Sequence, residues 1–278
     1  MAEIRNPHDV FFKNTMSDKE NAISFLQNNL PAELLRLIDL DSLQIEKDSF
    51  VSDKLQESFS DLLYQVQIAG TPGYIYLLFE HKSYPEKMIA LQLLEYMVAC
   101  WRLKARQKHP LPVIIPLVVY HGEKNWQVGL RLADLFAVTD QYLQKYLPDF
   151  SYLLYDLGYY RDEQIAGIPA LKLALLLLKY SHSPQLRQKL VELLALLRDH
   201  PKWPEKLEVI IVYILYASDI TPDELVSVTS EAISTQGGSF AMSTAQKLIE
   251  QGVQKNLQRV RKEGLQQGRK EGLQQGRK

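Results

Sequence analysis

One cysteine, Cys100, is all that 278 residues offer to sulfur chemistry. That excludes an intrachain disulfide and a cysteine-based zinc site. A lone cysteine in a helical stretch reads as a small buried residue. Long apolar runs are missing as well. The longest, VIIPLVVY, LALLLL and VIIVYILYA, fall far short of the ~18 residues a spanning helix needs, so no membrane partner is expected. The opening residues, MAEIRNPHDV, have no apolar centre, so no signal peptide is expected and the cytosol is the expected location. Neither GxxxxGK[ST] nor GxSxG occurs, which leaves a nucleotide cofactor and a serine hydrolase without support. Net charge is almost absent too, with 32 Lys+Arg against 33 Asp+Glu. At 46% hydrophobic and 23% charged residues, the composition is globular and not disordered.

The near-zero total conceals an asymmetry. The last residues, from Lys255, carry Lys255, Arg259, Arg261, Lys262, Arg269, Lys270, Arg277 and Lys278 against only Glu263 and Glu271. The body is therefore mildly acidic, and attraction for a polyanion must come from local patches or from this tail. The tail is also a literal repeat, EGLQQGRK at 263–270 and again at 271–278, with glycine every fourth residue. Each glycine costs a helix about 1 kcal/mol relative to alanine, so the segment is expected to be marginally helical alone. It would order against a partner or against a second copy.

Periodicity supplies the architecture. Residues 17–38 read as helix, with Ser17 and Glu20 in capping-box spacing. Residues 43–51 alternate weakly as a first strand. Residues 61–68 alternate cleanly, with Leu62, Tyr64, Val66 and Ile68 on one face and Asp61, Gln65 and Gln67 on the other; Leu63 is the exception. GTPG at 70–73 signals a turn into YIYLLFE at 74–80, a run suited to a central strand covered on both faces. A helix over 87–107 follows, its apolar surface assigned mainly to Met88, Leu91, Leu94, Tyr96, Val98 and Trp101. VIIPLVVYH at 113–121 is a further strand, with Pro116 suggesting a bulge or an edge. FSYLLYDL at 150–157 is a weaker one. Beyond residue 160, long Leu-rich runs at 169–181, 184–199 and 205–217 read as helices, and STQGGSF at 234–240 as a linker. The fold class is α/β: a mixed sheet flanked by helices, with a helical addition.

One constellation stands out. Glu80 and Lys82 belong to EHK, the only [DE]-x-K in the chain, and lie two apart on a strand, hence on one face. With the turn centred between Thr71 and Pro72, Asp61 would oppose Lys82 and stand diagonal to Glu80, within about 7–8 Å. A one-residue slip would separate the acids onto opposite faces, and the spacing alone leaves that open. Two carboxylates at that distance can share a hard cation such as Mg²⁺, and a lysine beside them can steady charge on a phosphate. The His81 carbonyl is a further ligand candidate. A surface ion pair at a strand end is the competing explanation. Gln92 and Tyr96 lie one helical turn apart; Gln92 could reach the metal or phosphate, while Tyr96 equally suits the core.

In this order Asp61, Glu80-x-Lys82 and Gln92-x-x-x-Tyr96 resemble the PD-(D/E)XK nuclease superfamily. HDVFFKNTMSDKENAISFLQNNLP at 8–31, SDLLYQV at 60–66, YLLFEHKS at 76–83, LQLLEYM at 91–97 and PLVVYHGEKNW at 116–126 resemble the Rpn recombination-promoting nucleases, and the likeness covers roughly residues 6–210. The resemblance implies a restriction-endonuclease-like core and a Mg²⁺-dependent DNA endonuclease of recombination or mobile elements. It implies Asp61, Glu80 and Lys82 as the metal-dependent catalytic set, with Gln92 assisting. The motif's leading proline is replaced here by Ser60. The expected organisation is a nuclease-like core over 1–160, a helical extension over 161–233 packed on it, and a linker with basic tail over 234–278. His8 and Asp9 could approach the site or simply cap a helix, and His121 could contact phosphate or shape a turn. His109, His182 and His200 are assigned no chemistry. The alternative is an inactive nuclease-like scaffold whose tail, through Lys262, Arg269 and Lys270, binds DNA or mediates self-association.

Overall fold

The computed structural model describes residues 6–46, 60–80, 84–122, 124–137 and 140–254, the side chains of Ser60 and Asp61 excepted. Its contacts divide the described residues into two compact units, one spanning His8–Ser183 and the other beginning at Pro184. The first carries the sheet. Helix α1 (Pro7–Met16) and helix α2 (Lys19–Asn29) precede β1 (Ile38–Glu46), β2 (Ser60–Ile68) and β3 (Thr71–Glu80). Helix α3 (Ile89–Arg106), β4 (Ile114–Tyr120), β5 (Leu153–Asp156) and helix α4 (Pro169–Tyr180) complete it. The strands lie in sequence order; β1, β2 and β3 pair antiparallel, and β3, β4 and β5 pair parallel. A mixed open sheet with helices on both faces and further helices after it is the restriction-endonuclease-like architecture expected.

Period two sorts the two faces. Leu63, Tyr74, Tyr76, Leu78, Ile114 and Val118 pack with Ile89, Leu93, Tyr96, Met97 and Cys100 of α3. The opposite face receives α1 and α2. Phe12 stacks on Phe79 with ring centroids 4.2 Å apart, Phe25 meets Tyr155 edge-on, and the buried Tyr64 hydroxyl donates to the Met16 carbonyl oxygen at 2.8 Å. Helix α4 reads PALKLALLLLKY and buries residues all around its circumference, as a helix without a polar face must. Lys179 near its end bonds the Tyr160 carbonyl and the Asp162 carboxylate, which tethers the preceding loop.

Several expectations need correction. The capping residue of α2 is Asp18, which accepts from the Glu20 and Asn21 N–H groups, and not Ser17. Strand β1 runs over 38–46 and not 43–51, since Ile38 and Leu43 are its buried residues; positions 47–51 lie outside the described residues. The hairpin turns at Ala69–Gly70, both at positive φ, with Ile68 opposite Thr71. A two-residue turn of this hand requires positive φ at both centres, and the Ala69 N–H is held by the Leu37 carbonyl oxygen at 2.7 Å. Gly73 falls instead inside β3, where a Cβ would meet Ile68 Cδ1 at 2.5 Å. The buried stripe of α3 is Ile89, Ala90, Leu93, Tyr96, Met97 and Cys100, leaving Met88 and Leu91 exposed.

Pro116 is neither at an edge nor in a bulge; it pairs with Tyr76 inside a five-stranded sheet. Along β4 the His121 N–H serves β3, and the Tyr120 carbonyl serves β5. By alternation the imide nitrogen of Pro116 faces the β5 side. There β5 begins pairing only at Leu117 opposite Leu153, so no ladder bond is lost.

The second unit is helical: α5 (Gln185–Ala195), α6 (Trp203–Ala217), α7 (Pro222–Ala232) and a continuous helix α8 over 235–254. The linker expected at 234–240 is thus mostly helix, its two adjacent glycines being compatible with one at modest cost. Helix α7 opens with a capping box in which Thr221 and Glu224 exchange bonds.

Candidate active site and a histidine cluster

The strand ends carry the chemistry. Glu80 closes β3, opposite Tyr120 of β4, and is only 3% exposed. The observed β2–β3 register sets position 61 against Leu78 and not against Lys82 as expected. The turn moved, but the register changed by an even number of residues, so no strand changed face. Position 61 is still diagonal to Glu80 across the hairpin, on the face that α3 covers. His81 and Lys82 lie outside the described residues, as does the Asp61 side chain, and so do Lys262, Arg269 and Lys270 of the tail.

Helix α3 covers the sheet face to which Glu80 belongs, and Ile89 in its first turn packs in the same cluster as Leu78. Gln92 is half-buried there, and its Nε2 is buried with no hydrogen-bond partner. A buried amide N–H₂ left unsatisfied costs on the order of 1–3 kcal/mol. One turn on, Tyr96 is stacked on Tyr76 with centroids 3.6 Å apart and is 5% exposed; it belongs to the core. Past the ends of β3 and β4, a cleft of about 690 Å³ opens among Tyr84, Lys87, Lys124, Asn125, Gln127 and Asp134. Two of those residues are cationic, which suits a phosphate backbone.

On the same face, Asp156 ends β5 beside Tyr120. It accepts from the Gly158 N–H at 2.9 Å and the Trp126 N–H at 3.4 Å. Burial nevertheless pushes its carboxyl above the usual range, outweighing those bonds.

The opposite face gathers histidines. His8 lies in the first turn of α1, His121 directly follows β4, and His182 follows α4. Their ring centroids stand 4.8–5.5 Å apart, and one ligand nitrogen from each lies within 4.8 Å of the others. His121 is buried and His182 exposed. The His121 backbone N–H donates to the Glu80 carbonyl oxygen at 2.8 Å, but its ring lies beside Phe79 and faces away from Glu80's side of the sheet. His8 and His121, named from sequence as companions of Glu80, therefore face each other across the sheet's other side. Asp9, next to His8, is buried in α1. His182, assigned no chemistry from its sequence context, completes the set. No spacing could have shown it, because the three residues are brought together by a helix start, a strand end and a helix end.

Two donor sets are thus available. On the α3 face the Glu80 carboxylate, with position 61 diagonal to it, is oxygen chemistry of the kind Mg²⁺ demands. Three imidazoles suit a borderline transition ion. The histidine cluster is capable of holding a metal ion.

Comparison with known proteins follows the same lines. The family described as "Putative transposase, YhgA-like" matches residues 6–208. Recombination-promoting nuclease RpnA of Escherichia coli K12 is 31% identical over 252 residues, covering 89% of this chain and 85% of that protein. RpnD of Escherichia coli O157:H7 is 31% identical over 216 residues, covering 77% and 82%. The inactive recombination-promoting nuclease-like protein RpnE of Escherichia coli K12 is 35% identical over 167 residues, covering 58% and 54%. No solved structure matches the chain significantly.

Proposed function

Because this chain belongs to the YhgA-like transposase family, that of the recombination-promoting nucleases, we propose that it is a Mg²⁺-dependent DNA endonuclease. The observation that carries this reading is local. Position 61 is diagonal to the buried Glu80, and the unsatisfied Gln92 amide belongs to α3, the helix that covers that face.

Asp61 and Glu80, with the His81 carbonyl, would hold Mg²⁺. The ion, when bound, supplies an acidified water and neutralises charge growing on the phosphate. Lys82 orients the attacking water or stabilises the negative charge of the transition state. The Gln92 amide donates to a phosphate oxygen, which satisfies its buried N–H₂ and fixes the strand in place. Lys87 and Lys124 in the cleft hold flanking phosphates without regard to sequence. The basic tail, through Lys262, Arg269 and Lys270, adds salt-sensitive DNA contact. By analogy with the family, the products carry 5′-phosphate and 3′-hydroxyl ends, and the role lies in recombination or mobile elements. No described helix is long and apolar enough to cross a membrane.

A plasmid-nicking assay with Mg²⁺ tests the reading. Asp61→Ala and Lys82→Ala should each lower nicking by roughly 10²–10³-fold, the scale of losing one charge-stabilising group. Unchanged nicking in both removes the mechanism. A second reading has its own support, because two relatives are named as inactive nuclease-like proteins. In that case the chain is a nuclease-fold scaffold whose tail binds DNA or self-associates. Wild type would then show no nicking, and deleting residues 255–278 would abolish DNA binding.

A further inference from the structure

We propose that His8, His121 and His182 form a binding site for a divalent transition-metal ion of the Zn²⁺ class, separate from the carboxylate site. Among the described residues they are the one group of three or more His, Cys, Asp or Glu side chains close enough to share an ion. Imidazole nitrogen binds Zn²⁺ and its neighbours well and Mg²⁺ poorly. The same ion therefore does not serve both faces of the sheet.

The bonds of His121 fix its tautomer. Its Nε2 lies 2.5 Å from the Leu178 carbonyl oxygen and 3.2 Å from the Ser181 hydroxyl. A carbonyl oxygen only accepts, so Nε2 carries the hydrogen and Nδ1 carries the lone pair. Metal-bound histidines commonly engage a backbone carbonyl through their second ring nitrogen, which fixes the ring and raises its basicity. Leu178 belongs to α4, so the helix that orients His121 is also the one that delivers His182 just past its end.

The distances allow closure. Nitrogens on one zinc at about 2.0–2.1 Å stand roughly 3.3–3.5 Å apart. Starting from separations within 4.8 Å, the rings need to close by no more than about 1.5 Å. His182 is exposed, so rotation of its side chain shortens its distances to the other two rings without disturbing the core. Three protein ligands leave a fourth position, on the side where His182 meets solvent, for water or another ligand.

The site would act as a clip. His8 opens the sheet-bearing unit and His182 all but closes it, while His121 is anchored just past the end of β4, inside the sheet's strand order. An ion bound to the folded arrangement alone stabilises it by mass action.

Metal-free full-length protein titrated with Zn²⁺ alone, then with Co²⁺ alone, tests the proposal. One Zn²⁺ should bind per chain, and Co²⁺ should give the intense visible bands of a tetrahedral nitrogen site. Excess Zn²⁺ should raise the Tm by roughly 5 °C or more at about a hundred times Kd, while Mg²⁺ should leave these signals unchanged. His182→Ala and His8→Gln, each shown to be folded by its metal-free Tm, should weaken Zn²⁺ binding. The loss should at least match the roughly 10–100-fold cost of deleting an outer partner. Glu80→Gln should keep Zn²⁺ binding whatever it does to nicking. Failure to bind Zn²⁺ stoichiometrically, indifference to both histidine variants, or loss of the site in Glu80→Gln would each overturn the proposal.

Discussion

Glu80 closes β3 and His121 follows the neighbouring β4, and they share a backbone hydrogen bond, yet they serve opposite faces with unlike chemistry. The α3 face is rich in oxygen: Glu80, position 61 beside it, Asp156 and the Gln92 amide. The face of α1 and α4 is rich in nitrogen, with three imidazoles inside a rim of Phe12 and Phe79. A single residue step along parallel strands divides them. One sheet end can thus present hard and softer ligands without the two sets mixing. Position along the strand, and not proximity in sequence, decides which ion a residue can serve.

The sharpest way to break this comparison is to loosen one face and watch the other. Phe12→Ala removes the ring that stacks on Phe79 in the α1 helix, one turn after His8. The expected loss is about 3–5 kcal/mol of unfolding free energy, together with weaker Zn²⁺ binding. Denaturant unfolding read beside metal titration checks both. Mg²⁺-dependent nicking below the new unfolding transition should fall far less than Zn²⁺ affinity. Equal losses would show that the faces are one mechanical unit.

Gln92→Met gives the reciprocal test on the α3 face. It fills similar volume and removes an amide whose Nε2 has no partner. Stability should rise by about 1 kcal/mol, because an unsatisfied buried group is gone. Nicking should fall roughly 10–100-fold, on the scale of a lost positioning contact. A variant that is more stable but less active marks the amide as functional; one that loses stability and keeps its rate marks it as structural. Tyr64→Phe acts more weakly, back on the first face. The Met16 carbonyl at the end of α1 loses its donor, at a cost of about 1–2 kcal/mol in thermal or denaturant unfolding.

Both faces were partly legible in the sequence, and unequally so. Alternation over 61–68 and the apolar run at 74–80 disclosed the hairpin and its central strand. Positions 61 and 80 fall on one face of the hairpin even though the turn was placed at the wrong residues, because the error was an even number. Leu63 looked like a blemish in that alternation, but it is the residue that meets α3. The stripe of α3 itself was misjudged. Met88 and Leu91 are as apolar as Leu93 and Met97, and only packing against the sheet decides which are covered. The histidine cluster was half legible. His8 and His121 drew attention as polar residues at element ends. His182 needed the path of α4, which no local pattern encodes, and its neighbours SHSP look like an ordinary turn.

The subtlest test uses Asp156, an acid on the oxygen-rich face with a structural task and no cation among its described bonding partners. Its carboxyl is held above the usual range by burial, against the pull of the Gly158 and Trp126 N–H groups. For a raised acid, the folded state binds its proton more tightly than the unfolded state does. The stability this confers is fully present below the unfolded value and is lost as pH rises through the folded one. Asn at this position keeps the Oδ1 acceptor for Gly158 and gives up only the longer bond to Trp126. The variant should therefore be a little less stable than wild type at acid pH, where Asp156 is protonated, gain on wild type as pH rises, and lose this part of the pH dependence altogether. Thermal unfolding followed from acid to neutral pH in both proteins measures the difference in slope. A flatter curve for Asp156→Asn shows that the α3 face is poorly solvated enough to penalise an unpaired carboxylate. A bound cation would relieve a penalty of this kind at a buried carboxylate such as Glu80. Parallel curves would mean that water reaches this face freely, and the contrast between the two sides of the sheet would then be one of ligand type alone.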